Sequence, residues 1–129
     1  MSYYTPGDVV VGRISNAAVD TAADVVFTDS NGDAVAFKAG KRLTITEIVL
    51  NNRATAKDLT LFHDKDGDDT LDSGEEIVTV SFDAAGSQHI QFAEGLPLKR
   101  FAADAEKLKA VASAAGAVDI VILAQVHNS

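Results

Sequence analysis

Short apolar segments that alternate with polar residues recur along the chain, and they constrain its fold more than any other feature. Successive side chains of a strand point to opposite faces, so each segment predicts a strand with one buried face. The segments are 24–28, 34–37, 43–50, 59–63, 77–82, 89–92 and 118–126. Six or seven short strands separated by turn residues predict an all-β fold, an antiparallel β-sandwich of the jelly-roll type.

The clearest turn signal lies between the first two segments. Asn31 and Gly32 stand there, and an Asn-Gly pair supplies the two positive-φ positions of a tight hairpin turn. We therefore expect the segments 24–28 and 34–37 to form a hairpin, with positive φ at both turn residues.

One segment is compatible with either helix or strand. Residues 100–115 are rich in helix formers, and their apolar residues fit one face of a helix. From residue 108 onward, apolar residues also alternate, and Gly116 stands directly before the apolar run 118–126. We expect residues 107–113 to be a strand that pairs with this run.

The size and composition of the chain predict one folded domain. The chain has 129 residues, thirty of them Val, Ile or Leu, which is enough for a single core and too many for a disordered chain. It has no cysteine, so it forms neither disulfides nor zinc–thiolate sites. The sequence shows no apolar run of membrane-spanning length and no Sec signal, so we expect no membrane partner.

The N-terminal region allows two interpretations. Residues 1–23 form either an arm that binds a partner or the first strand of the sandwich, and residues 24–129 form the sandwich domain. An arm would use apolar and aromatic contacts, and the candidate residues are Tyr3, Tyr4, Val9, Val10 and Val11. In the arm interpretation, a chain that lacks residues 2–14 stays folded and loses partner binding.

The acidic charge is concentrated in one loop. The formal net charge is −8, and residues 64–76 contain seven acidic residues and one lysine. The rest of the chain is nearly neutral and has no basic stripe, so we expect no nucleic-acid partner. A local cluster of carboxylates indicates a cation site instead.

The spacing within this loop predicts calcium ligands. A twelve-residue calcium loop uses side chains at positions 1, 3, 5 and 12, a main-chain carbonyl at position 7 and often a water held by position 9. The residues at positions 1, 3, 5, 7, 9 and 12 are Asp64, Asp66, Asp68, Thr70, Asp72 and Glu75. Asp69 replaces the usual glycine at position 6, with Gly67 nearby to share the bend.

The segments on both sides of this loop, 59–63 and 77–82, are predicted to be strands, whereas an EF-hand loop lies between two helices. We therefore expect a structural calcium loop within a β-hairpin; the alternative is a solvated acidic turn without an ion.

The sequence contains no catalytic motif. The three histidines, His63, His89 and His127, have no metal-ligand spacing, and the sequence has neither a nucleophile elbow nor a phosphate-binding glycine loop. We expect a protein that is not an enzyme.

Two segments near the C-terminus carry a resemblance to a known group. Residues 94–99 (EGLPLK) and 113–123 (SAAGAVDIVIL), in a short strand-rich chain, resemble the small head decoration or cement proteins of tailed bacteriophages. The resemblance implies a jelly-roll-like protein, usually a homotrimer, that bridges major capsid subunits on the outer surface of the virion. Such a protein resides in the host cytoplasm before assembly. The alternative is a calcium-stabilised β-sandwich binding module of a secreted or surface protein.

Overall fold

A computed structural model describes residues 8–18, 21–35, 40–98 and 107–128 of the chain. Within these ranges the chain forms strands and turns but no helix. The strands are β1 (Asp8–Ala18), β2 (Ala23–Asp24), β3 (Val26–Thr28), β4 (Ala34–Val35), β5 (Lys41–Asn52), β6 (Lys57–Asp64), β7 (Glu76–Phe82), β8 (Gly86–Pro97), β9 (Lys107–Ala112) and β10 (Ala117–Asn128).

The strands form two antiparallel sheets. A six-stranded sheet has the order β4-β3-β1-β10-β5-β8, and a four-stranded sheet has the order β2-β9-β6-β7. Four of the pairings are nested along the chain, because β1 pairs with β10, β2 with β9, β5 with β8 and β6 with β7. A long antiparallel ribbon folded over itself in this way is a jelly roll, which confirms the predicted fold class.

The core lies between the two sheets. On β5, the side chains of Leu43, Ile45, Ile48 and Leu50 are fully buried in it. Ile45 and Ile48 are three residues apart and still face the same way, because the pairings of β5 with β8 and β10 both shift register here. The bulge explains why simple alternation fails in the middle of this strand.

The segment 100–115, which is compatible with helix or strand by sequence, contains a strand where the structure describes it. β9 spans Lys107–Ala112 and pairs with β6 and β2, with Leu108, Ala110 and Ala112 in the core. The strand prediction is therefore confirmed, although β9 does not pair with β10. Residues 100–106 lie outside the described residues.

The first hairpin turn differs from its prediction in one respect. Gly32 has a φ of 84°, but Asn31 does not adopt positive φ. The carboxylate of Asp29 accepts the main-chain N–H groups of Asn31 and Asp33 instead, at 2.9 and 3.0 Å. A side chain that bonds to the main chain ahead of it therefore shapes this turn.

The N-terminal region is a strand and not an arm where it is described. β1 lies inside the six-stranded sheet, between β3 and β10, and Val10 and Ile14 are part of the core. The premise that residues 2–14 include no central strand is therefore wrong, and we expect a chain that lacks them not to stay folded, because the deletion removes most of an inner strand. Tyr3 and Tyr4 lie outside the described residues.

Close packing against β1 generates a testable prediction. A Cβ atom at Gly12 would lie 2.6 Å from Val25 Cγ1 and 2.7 Å from Phe27 Cε1, both in the core. We expect Gly12→Ala to lower the free energy of unfolding by about 1–3 kcal/mol, because the added methyl group overpacks the core. Urea denaturation measures this difference. The control is Gly86→Ala, where an added Cβ meets no atom within 4 Å; equal stability of the two variants would contradict the packing described.

Candidate metal centre

The acidic loop joins β6 to β7, which are antiparallel neighbours in the four-stranded sheet. Its two ends are held together by main-chain and side-chain hydrogen bonds. The N–H of His63 donates to the carbonyl of Glu75 at 2.9 Å, and the N–H of Lys65 donates to Glu75 Oε2 at 2.8 Å. Glu75 Oε1 accepts the N–H of Asp72 at 2.8 Å. Glu75 therefore closes the loop, which lies within a β-hairpin as predicted.

Asp64 is the most deeply buried carboxylate of the loop. It is the last residue of β6, a strand whose residues are nearly all buried, and none of its surface is exposed. Asp64 Oδ2 accepts the N–H of Asp69 at 2.9 Å. Asp64 Oδ1 is buried without a hydrogen-bond partner. A buried carboxylate oxygen without a partner is costly, and a bound cation would satisfy it.

The structure brings five of the six predicted ligand residues together. Asp64, Asp66 and Asp68 each offer an oxygen within 4.8 Å of the others, and Asp66, Asp72 and Glu75 form a second such group. Asp66 belongs to both groups, so the two groups are adjacent. A set of oxygen ligands with several negative charges favours a hard cation such as Ca²⁺.

The sixth predicted ligand residue is Thr70. Its N–H donates to Asp68 Oδ1 at 3.0 Å, which holds that carboxylate against the loop. Coordination of an ion by the Thr70 carbonyl stays a prediction.

The sharp bend of the loop is made without glycine at position 6. Asp69 has a φ of 62°, in the left-handed region that glycine normally occupies. Gly67, two residues earlier, has a φ of 69°. The chain therefore turns at both positions, and the departure from the usual calcium-loop pattern does not prevent the bend.

Sequence reasoning missed one residue that contacts the loop. Lys109 of β9 is buried, and its Nζ binds Asp24 of β2 and lies 2.8 Å from Asp69 Oδ1. Burial opposes the charge of Lys109, but its hydrogen bonds to the two aspartates outweigh this effect and hold its pKa above the ordinary value. A lysine that alternates with core residues along a strand normally points to solvent. The sequence around Lys109 therefore does not indicate a contact with the acidic loop.

Asp69 of the loop contacts the outer face of the four-stranded sheet at Lys109. Phe62 of β6 and Lys109 of β9 are register partners, and both alternate with core residues and so point away from the core. Both are nevertheless buried. Lys109 contacts Asp69, so the acidic loop reaches this face of the sheet at Lys109.

No protein-family model and no curated protein matches the sequence. Among solved structures, the chain is similar to Eiger TNF from S. frugiperda, with a TM-score of 0.51 and 12% identity over 97% of this chain and 96% of that one. The similarity shows the fold alone. That fold is a jelly roll.

The remaining predicted features are spread over the sandwich. His63 is buried in β6, His89 lies on β8 near Glu47, and His127 lies on β10.

The expectation that the protein is not an enzyme stays a prediction. In the described ranges, no helix has the length and apolar character needed to cross a membrane.

Crowding of the carboxylates changes how they bind protons. Hydrogen bonds with Asp66 and Asp68 raise the pKa of Asp72 to about 6. Burial raises the pKa of Asp64 as well. The surroundings of both carboxyl groups disfavour the ionised form. This effect is expected where a bound cation would balance the negative charge.

These pKa shifts predict how stability depends on pH when a chelator removes divalent cations. The pKa of Asp72 is about 6 in the folded chain and about 3.9 when unfolded. The stabilising effect of its proton is therefore fully present below pH of about 3.9 and is lost as the pH rises through 6. We expect the urea midpoint of the wild type to increase when the pH is lowered from 7 to 5. The Asp72→Asn variant should lose most of this increase.

The exposed Asp83, outside the loop, provides the control. Asp83→Asn should keep the pH response of the wild type. An identical response in Asp72→Asn and Asp83→Asn would show that the loop carboxylates do not cause it.

Proposed function

We propose that this chain is a non-catalytic, calcium-stabilised jelly-roll protein that binds other protein subunits, and that it decorates the head of a tailed bacteriophage by bridging major capsid subunits. The observation that carries the binding role is a group of apolar side chains on the outer face of the six-stranded sheet, called the apolar face below, although polar residues such as Arg13 and Gln125 lie between them. The resemblance of residues 94–99 and 113–123 to head decoration proteins supports the capsid as the partner.

The outer face carries side chains that alternate with the core residues of β1, β3, β5 and β10. The apolar members of this face are Val9, Val11, Val26, Val49, Val121 and Leu123. Val9 and Val26 are 53% and 60% exposed, and they are the large exposed hydrophobic residues of the described chain. Because apolar side chains gathered on one face favour contacts with other subunits, we infer that this face forms the homotrimer or contacts the capsid.

The cation contributes stability in this proposal. The five carboxylates lie at the end of β6 in the four-stranded sheet, whereas the apolar face belongs to the six-stranded sheet. Calcium at the loop would neutralise charges that otherwise repel one another and would fix the β6–β7 hairpin.

The same loop favours a second function, that of a calcium-stabilised binding module of a secreted or surface protein. Calcium is millimolar outside cells, where even calcium loops of low affinity are occupied. The two functions differ in the partner of the apolar face, and an assay of binding to phage heads separates them.

The calcium role predicts a cation-dependent melting temperature. An ion that binds the folded chain alone, at a hundredfold excess over Kd, adds about 2.7 kcal/mol to the free energy of unfolding. We expect the wild-type midpoint to rise on addition of calcium relative to chelator, and to rise less with magnesium, which demands a tighter octahedral geometry. Calorimetry in the two conditions measures the shift.

Variants connect this shift to the loop. Asp64→Asn and Asp68→Asn should each lose most of the calcium shift, and the exposed control Asp83→Asn should retain it. A wild-type midpoint that calcium does not change would contradict the site.

The binding role predicts that charge on the apolar face disrupts assembly. We expect the wild-type protein to have the native mass of a trimer and to bind undecorated heads of the phage that encodes it. The double variant Val9→Glu, Val26→Glu should be a folded monomer that no longer binds heads, because it buries unpaired charge in the interface. Native mass spectrometry and co-sedimentation with heads measure both properties.

Ser81→Glu is the control, since Ser81 is exposed on β7 of the other sheet. This variant should assemble and bind like the wild type. A wild-type monomer that binds no head would overturn the decoration role and favour the calcium-stabilised module.

A further inference from the structure

The acidic loop contains the one non-glycine residue with positive φ in the described chain, Asp69. In this conformation the N–H of Asp69 donates a hydrogen bond to Asp64 Oδ2 at 2.9 Å. The hydrogen bond fixes the carboxylate whose other oxygen is buried without a partner. The orientation of the buried ligand therefore depends on a main-chain conformation that is unfavourable for an aspartate.

The side chain of Asp69 is held from outside the loop. Its Oδ1 lies 2.8 Å from Lys109 Nζ, although the Asp69 side chain itself is 75% exposed. Lys109 is in turn fixed by Asp24 of β2 and by its position on β9 opposite Phe62 of β6. Because Phe62 precedes Asp64 by two residues on the same strand, one pair of strands carries both the lysine and the buried ligand.

We infer that Lys109 is a positioning residue for the cation site: it holds Asp69 in the left-handed conformation and so replaces the glycine that calcium loops have at this position. This inference rests on the cation site of the proposed function. Glycine adopts positive φ at no steric cost, whereas aspartate does so here because its carboxylate gains a charge-assisted hydrogen bond to a buried ammonium group.

The inference predicts that loss of the Lys109 ammonium group changes calcium affinity in the direction opposite to that expected from its charge alone. Removal of a positive charge near the loop by itself strengthens the binding of a cation. If Lys109 acts by positioning, Lys109→Met instead weakens calcium binding, by about tenfold for a conformational cost of the usual size. Isothermal titration of the full chain with calcium measures the affinity.

A glycine at position 69 tests the mechanism. Glycine needs no lysine to adopt positive φ, so the Lys109→Met substitution should change calcium affinity by less than about twofold in the Asp69→Gly background. The control is Lys107→Met, because Lys107 binds the same Asp24 and stands on the same strand. Lys107→Met should retain the wild-type affinity.

A second variant keeps the test valid if Lys109→Met fails to fold. Asp69→Ala alters an exposed side chain, lacks both the bond to Lys109 and the freedom of glycine, and should weaken calcium binding where Asp69→Gly does not.

The outcomes distinguish this inference from the proposed function. A wild-type chain that binds no calcium overturns both. A wild-type chain that binds calcium overturns the inference alone if Lys109→Met binds it equally well or more tightly, or if Asp69→Ala and Asp69→Gly bind it equally.

Discussion

The burial of Asp64 at the end of β6 is the constraint on which the acidic loop depends. The strand carries this carboxylate out of water, where one oxygen receives the N–H of Asp69 and the other has no hydrogen-bond partner. An acidic group is retained at such a position only where something compensates for its lost hydration. In the proposed function, a divalent cation held also by Asp66 and Asp68 would supply this compensation, and it would account for the concentration of negative charge in a chain that is otherwise nearly neutral.

In the proposed function, the two sheets of the jelly roll have different roles. Its nested pairings place the β6–β7 hairpin and its loop on the four-stranded sheet, and they place β1 and β10 at the centre of the other sheet. The exposed Val9 and Val26 therefore belong to the sheet that does not carry the acidic loop. In this account the ion keeps the sandwich folded, and the six-stranded sheet recognises neighbouring subunits.

Local features were predictable from the sequence and distant contacts were not. Alternation predicted the strands at 43–50, 77–82 and 118–126, and loop spacing predicted which carboxylates meet, because both depend on neighbours in the chain. The place of β1 depends on its pairing with β10, more than one hundred residues away, and three consecutive valines do not specify it. Lys109 reaches Asp69 only through the pairing of β9 with β6, so nothing near it in sequence marks it.

A crystal structure of the full chain grown with calcium tests the central claim most directly. The account predicts one ion with six to eight oxygen ligands at about 2.3–2.6 Å, among them Asp64 Oδ1 and oxygens of Asp66 and Asp68. The anomalous signal of the ion would identify it. A structure in which Asp64 Oδ1 bonds to water or to a side-chain donor, with no ion among these carboxylates at saturating calcium, would contradict the account.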